Sequence, residues 1–245
     1  MTEVNYNKLK SIDEYSFENY FADDFNKLAF ESVKSLIPIK DNKLNNLLFI
    51  YGEIGLGKTH LVNALINKLT DNDNSSLYYS DCATFSASHR KSVIENDITV
   101  FDDYICSHDS FVLENIEDLS GKNKTQEKVQ QLLNHFINNK KLVIVTSSQK
   151  PNNLIEYNEK LKSILLSNVI ACIKTPSYNE RLKYIQFKAE QYELNLADIK
   201  CSSIAENTAD DFRIINGILR TFSRYKQAGC NISDEIVMNL LEDVI

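Results

Sequence analysis

The stretch FIYGEIGLGKTHLVNAL, Phe49–Leu65, decides the fold. Gly52, Gly57, Lys58 and Thr59 stand at the spacing of a phosphate-binding loop, with Gly55 between the two outer glycines. An apolar run precedes the loop, and a helical pattern with Leu61, Leu65 and Leu69 follows it. That strand–loop–helix setting is what the chemistry requires. Glycines let successive backbone N–H groups turn inward around phosphates, the Lys58 ammonium reaches the outer phosphates, and the Thr59 hydroxyl ligates magnesium. The following helix adds its positive N-terminus, with His60 in its first turn. The expected cofactor is therefore ATP or ADP with Mg, bound by Gly52, Gly55, Gly57, Lys58, Thr59 and His60.

Working outward, apolar runs recur at LLFIY (47–51), LYYS (77–80), SFVLE (110–114), LVIVTS (142–147) and VIACI (169–173). Runs of this length, rich in β-branched residues, fit strands buried on both faces. Helical patterns lie between them. One is TQEKVQQLLNHFINN, which places Val129, Leu132, Leu133 and Phe136 on a single face. The alternation predicts an α/β fold, a five-stranded parallel sheet covered by helices. Beyond Pro176 the patterns SYNERLKYIQFKAEQYEL, DFRIINGILRTFSRYKQAG and SDEIVMNLLEDVI are all amphipathic helices with no strand among them, which predicts a small helical lid. The expected organisation is a leader over 1–14, an α/β nucleotide-binding core over 15–176 and the lid over 177–245.

Composition narrows the function. At 245 residues, 43% hydrophobic and 25% charged, the chain reads as a globular protein of one large domain or of a domain plus a small lid. No apolar run approaches the roughly 18 residues of a membrane span. The polar opening MTEVNYNKLKSIDEYSF lacks the apolar centre of a signal peptide. Five unpaired Cys read as reduced thiols, so a cytoplasmic location is expected. A net charge of −7 argues against strong direct DNA binding, which needs clustered Lys and Arg.

With the loop placed, the chain resembles the AAA+ ATPase domain of the bacterial DnaA replication-initiator family. The likeness runs through YSFENYFADDFNKLAF (15–30), NNLLFIYGEIGLGKTHLVNAL (45–65), NIEDLSGKNKTQEKVQQLLNHF (115–136), IVTSSQKP (144–151) and DFRIINGIL (211–219), in family order and over about 230 residues. No helix-turn-helix DNA-binding domain is expected after the lid. In that respect the architecture is similar to Hda, the short family member that pairs with DnaA and promotes hydrolysis of its ATP. The resemblance implies DnaA or another AAA+ protein as partner. It also implies docking on the replication clamp, although VNYNKLKSIDEY (4–15) shows no good copy of the docking peptide.

Two stretches compete for the strand end that faces magnesium. ITVFDD (98–103) has apolar residues before two Asp, and FVLEN (111–115) ends in Glu114 and Asn115. The GKNKTQE segment should follow the strand closely, which selects Glu114 and Asn115 and makes Asp102–Asp103 a surface pair on a polar connection. Glu114 then takes the magnesium shell, while Asn115 cannot act as a base because an amide has no useful basicity. Three further positions follow from the resemblance. The family's sensor Asp is replaced by Ser148, which can hydrogen-bond without charge. The arginine finger is replaced by Ile164, with Lys162 a weak substitute that lacks the forked geometry. Arg213 matches the second sensor arginine, at the start of a helix that Asp210 or Asp211 would cap. Gly217 is expected to permit close packing of that helix.

No catalytic residue is therefore assigned. The reading is an ATP- or ADP-binding regulator of replication initiation that acts by contact with DnaA and hydrolyses ATP weakly or not at all. An active AAA+ ATPase such as a helicase loader, or a nucleotide-stabilised adaptor without hydrolysis, stands as the alternative, because fold alone does not decide function.

Overall fold

The computed structural model describes residues 15–37, 47–72, 76–208 and 210–242. These divide into two compact units. The first holds the described residues up to Tyr20 and those of Leu28–Gly52 and Lys58–Cys172. The second holds Phe21–Lys27, Glu53–Gly57 and the described residues from Ile173 onward.

The first unit is built on a five-stranded, wholly parallel sheet of β1 (Leu47–Tyr51), β2 (Leu77–Asp81), β3 (Ser110–Glu114), β4 (Leu142–Ser147) and β5 (Val169–Cys172), in the order β2-β3-β4-β1-β5. Burial follows position in the sheet. Every residue of the central strands β3 and β4 is buried, whereas the edge strand β2 alternates between buried and half-buried. Continuous apolar runs mark the interior strands because helices cover both faces of a parallel sheet. The connecting helices are α2 (Lys58–Asn72), α3 (Cys82–Ile94), α4 (Ile98–Cys106), α5 (Asn123–Asn138) and α6 (Glu159–Leu166), preceded by α1 (Lys27–Lys34). Val129, Leu132, Leu133 and Phe136 of α5 all point into the core, as the periodicity predicts. There they join Phe49, Phe85, Phe101, Phe111 and Val145.

The competing stretch at 98–103 is a helix, contrary to the reading of a polar connection. Ile98, Phe101 and Ile105 recur at helical spacing, with Phe101 and Ile105 fully buried. Its Asp102 receives a 2.6 Å ion pair from Lys128 on α5. An apolar run before two acids here marks an amphipathic helix rather than a strand end.

The second unit contains α7 (Tyr178–Gln191), α8 (Asp198–Asn207), α9 (Phe212–Gln227) and α10 (Asp234–Glu242). Ser177 and Glu180 close a reciprocal capping box at the start of α7. Asp211 caps α9 by accepting from the Arg213 backbone N–H. Helix α8 was not among the expected helices; its buried face is only Cys201, Ile204 and Ala205 in an otherwise polar segment. The unit also takes in aromatic residues from early in the chain. Phe25 packs edge-on against Phe212, and Phe21 against Tyr184, while Tyr184 stacks on Phe212 at 3.9 Å. The Phe25 carbonyl accepts from the Lys174 N–H at 2.9 Å. Gly217 is exposed, and a Cβ there would meet nothing within 4 Å. The expected close packing is absent, because α9 turns this position away from its buried stripe of Phe212, Ile215, Ile218, Leu219 and Phe222.

Candidate nucleotide-binding site

In the first unit, the residues on either side of the phosphate loop meet the carboxyl ends of β1, β3 and β4. Open α/β sheets bind ligands in that place, outside the strand ends where the order of strands reverses. Register brings the groups together. Tyr51 of β1 lies beside Ser147 of β4, and the Gly52 N–H donates to the Ser147 carbonyl at 3.2 Å. The Lys58 ammonium, on a largely buried side chain, donates to the Gly52 carbonyl at 2.6 Å. Helix α2 begins at Lys58, so the backbone N–H groups of its first turn lack intrahelical partners.

Thr59 Oγ1 donates to Glu114 Oε2 at 2.6 Å, and Tyr79 Oη donates to Glu114 Oε1 at 2.9 Å. Glu114 is only 2% exposed, and burial pushes its carboxyl above the usual range against the opposing pull of both hydroxyls and of Lys58. Burial beside Glu114 pushes the Tyr79 phenol up as well. The loop hydroxyl and the strand-end carboxylate are thus joined directly. A hydroxyl backed by a buried carboxylate is a hard oxygen donor set of the kind that suits magnesium accompanying a phosphate.

Asn115, next to Glu114, has φ 58 and ψ 55, a left-handed conformation that Asn tolerates better than most residues. Its N–H donates to Thr146 Oγ1 at 3.1 Å. Ser148 follows β4, and its N–H donates to Glu117 Oε1 at 2.9 Å. Tyr79, the second partner of Glu114, carried no signal in the sequence; it reaches the site through the register of β2 on β3, which spacing along the chain does not reveal. Glu117, the acceptor of the Ser148 N–H, comes from the turn Ile116–Leu119 that follows β3.

His60 turns toward the N-terminal segment. Its Nε2 lies 2.8 Å from Asn19 Oδ1 and 3.1 Å from the Ser16 carbonyl, and its ring packs between Tyr15 and Tyr20. Ile164 on α6 is partly buried and packs against the core. Lys162 pairs with Glu159 at 3.5 Å.

Gly55 and Gly57 belong to the second unit together with Arg213. Both glycines have positive φ, +86 and +91, a conformation that side chains resist and that turns loop N–H groups inward. Arg213 is bound to Asp211, its Nε donating to Oδ1 and Oδ2 at 3.0 Å each and its Nη2 to Oδ2. The docking peptide sought near the N-terminus falls almost wholly within residues 1–14, outside the described residues.

A parallel sheet with a glycine loop after β1, a lysine and threonine opening α2, and a carboxylate ending β3 defines a P-loop protein of the AAA+ class. The chain belongs to the family of bacterial DnaA ATPase domains, which it matches over residues 12–172. Among its relatives, the chromosomal replication initiator protein DnaA of Campylobacter jejuni is 30% identical over 234 residues, covering 94% of this chain and 53% of the relative. The chain thus spans about half the length of the curated relatives it matches. Domain III of the Thermotoga maritima replication initiation protein DnaA shares the fold with a TM-score of 0.88 at 24% identity, over 97% of this chain and 99% of that one. A replication initiator DnaA bound to AMPPCP and single-stranded DNA superposes with a TM-score of 0.80 at 28% identity, over 85% of this chain and 64% of the other. Among the described residues, no helix is long and apolar enough to cross a membrane.

Proposed function

We propose that this chain binds ATP or ADP with magnesium at the loop Gly52–Thr59 and regulates replication initiation in the cytoplasm through AAA+ contact with DnaA, in the manner of Hda. The observation that carries the nucleotide reading is the 2.6 Å bond between Thr59 and the buried Glu114, which links the loop to the strand end. Lys58 supplies the cation for the outer phosphates, and the α2 N-terminus adds backbone donors. Thr59 would ligate magnesium, with Glu114 holding that hydroxyl in place, and the ion would supply neutralisation of phosphate charge. The AMPPCP carried by the related DnaA supports the same ligand class here.

Weak turnover follows from what flanks Glu114. Asn115 offers no base for this chain's own hydrolysis, and Ile164, apolar and packed against the core, puts no cation where a finger would reach a neighbour's phosphate, which counts against a full copy of Hda's mechanism. The chain then acts by nucleotide-dependent contact with a partner more than by its own catalysis. Direct grip on duplex DNA is disfavoured by the net charge of −7. The single-stranded DNA in the related structure makes a local single-strand contact the form of DNA binding worth measuring.

Titration of the full chain with fluorescent ADP and ATP in magnesium tests the nucleotide reading. Saturable binding that falls at least about tenfold in Lys58→Ala, with the fold unchanged by circular dichroism, is expected for a lost charge-assisted phosphate contact. Equal binding by the wild type and Lys58→Ala would place the nucleotide elsewhere.

A further inference from the structure

We propose that Asp211 sets which nucleotide the loop accepts, by disfavouring the ligand that carries the extra negative charge. This rests on the nucleotide reading above and concerns groups within the second unit alone. The Asp211 carboxylate lies directly over Gly55. A Cβ built on that glycine would stand 2.0 Å from Oδ1, 2.4 Å from Cγ and 2.9 Å from Oδ2. The space above the loop glycine is therefore filled by an acid. Gly55 has the positive φ that lets a loop N–H turn toward an anion. A phosphate brought to this glycine comes within short Coulombic range of a like charge.

Arg213 compensates for this carboxylate and is consumed in doing so. It donates Nε to both Asp211 oxygens at 3.0 Å and Nη2 to Oδ2, and its backbone N–H donates to Oδ1 at 2.8 Å. The Asp211 side chain is 21% exposed and that of Arg213 is 66% exposed, so the acid is the inner member of the pair and the guanidinium the outer one. A guanidinium forked onto its own neighbour has fewer donors left for phosphate oxygens. Asp211 thus acts twice: it sets a negative charge on the loop, and it occupies the nearest cation of α9. Both effects grow with the charge of the ligand, so they weigh more on a triphosphate than on a diphosphate.

The role of Asp211 as the N-cap of α9 explains its presence without the charge being needed. Asn and Ser cap helices comparably to Asp. Asp211→Asn and Asp211→Ser therefore remove the charge and keep the cap, and a thermal melt verifies the fold of each. Isothermal titration of the full-length wild type and both variants with MgADP and MgATP is the test. The expected result is that the neutral caps tighten MgATP about tenfold and MgADP by a smaller factor, as removal of one like charge near the ligand requires. Equal gains for both nucleotides, or no gain in either variant, would overturn the role of Asp211 while leaving wild-type binding intact. Failure of the wild type and both variants to bind either nucleotide would overturn this inference and the nucleotide reading together.

Discussion

Glu114 shows how a single residue can be readable in type and unreadable in state. Its place before the GKNKTQE segment marks it in the sequence, yet nothing there reveals that two hydroxyls hold it at 2% exposure. Burial raises its folded pKa above the unfolded value. The stability this proton contributes is complete below the unfolded value, near pH 4.3, and is lost as pH rises through the folded one. At neutral pH the ionised carboxylate therefore costs stability. Without nucleotide or metal, Glu114→Gln should melt a few degrees higher than the wild type at pH 7.5. That gain should shrink toward zero as the pH falls below the ordinary carboxylate range. Differential scanning calorimetry at both pH values checks this, and a variant less stable than the wild type at pH 7.5 would mean that the Thr59 and Tyr79 bonds outweigh desolvation. For Asp211 the capping role is visible from the residues after it, whereas its contact with Gly55 spans more than 150 positions and leaves no mark in the sequence.

At the scale of elements, legibility followed the strength of the periodic signal. The interior strands β1, β3 and β4 were plain because strands buried on both faces are dominated by apolar residues. Helix α5 was plain because one face carries four large apolar residues. Helix α8 was missed because its buried face is small, and α4 was read as a polar connection because its apolar run was weighed only against a strand end, while its helical spacing of Ile98, Phe101 and Ile105 is short. Helix α9 yields a prediction of its own. Its glycine at 217 is exposed, without positive φ and with open space around it, so it contributes only backbone freedom to the unfolded chain. Gly217→Ala should stabilise the protein by about 0.5–1 kcal/mol, which for a chain of this size raises the melting temperature by roughly 1–4 °C. A lower melting temperature would show that another part of the molecule needs position 217 bare.

For the whole molecule, the sequence conveys the order of the parts better than their membership. The alternation of strands and helices followed by helices alone marks two kinds of architecture. It does not show that Phe21–Lys27 and the loop segment Glu53–Gly57 group with the C-terminal helices. The rings of Phe21 and Phe25 do so through contacts with Tyr184 and Phe212, which are distant in sequence. The phosphate loop is thereby divided, with Gly52, Lys58 and Thr59 grouped with the sheet and Gly55 and Gly57 with the helices. The reading proposed above is that nucleotide at this loop sets the contact of the chain with DnaA.

The measurement that tests it most directly uses DnaA from the same organism charged with labelled ATP. The full chain is added with and without ADP, clamp and DNA, and phosphate release is followed. Association with DnaA and a changed rate of release are expected, both lost when the added chain is Lys58→Ala. An unchanged rate with no association in any of these conditions would contradict the proposed reading.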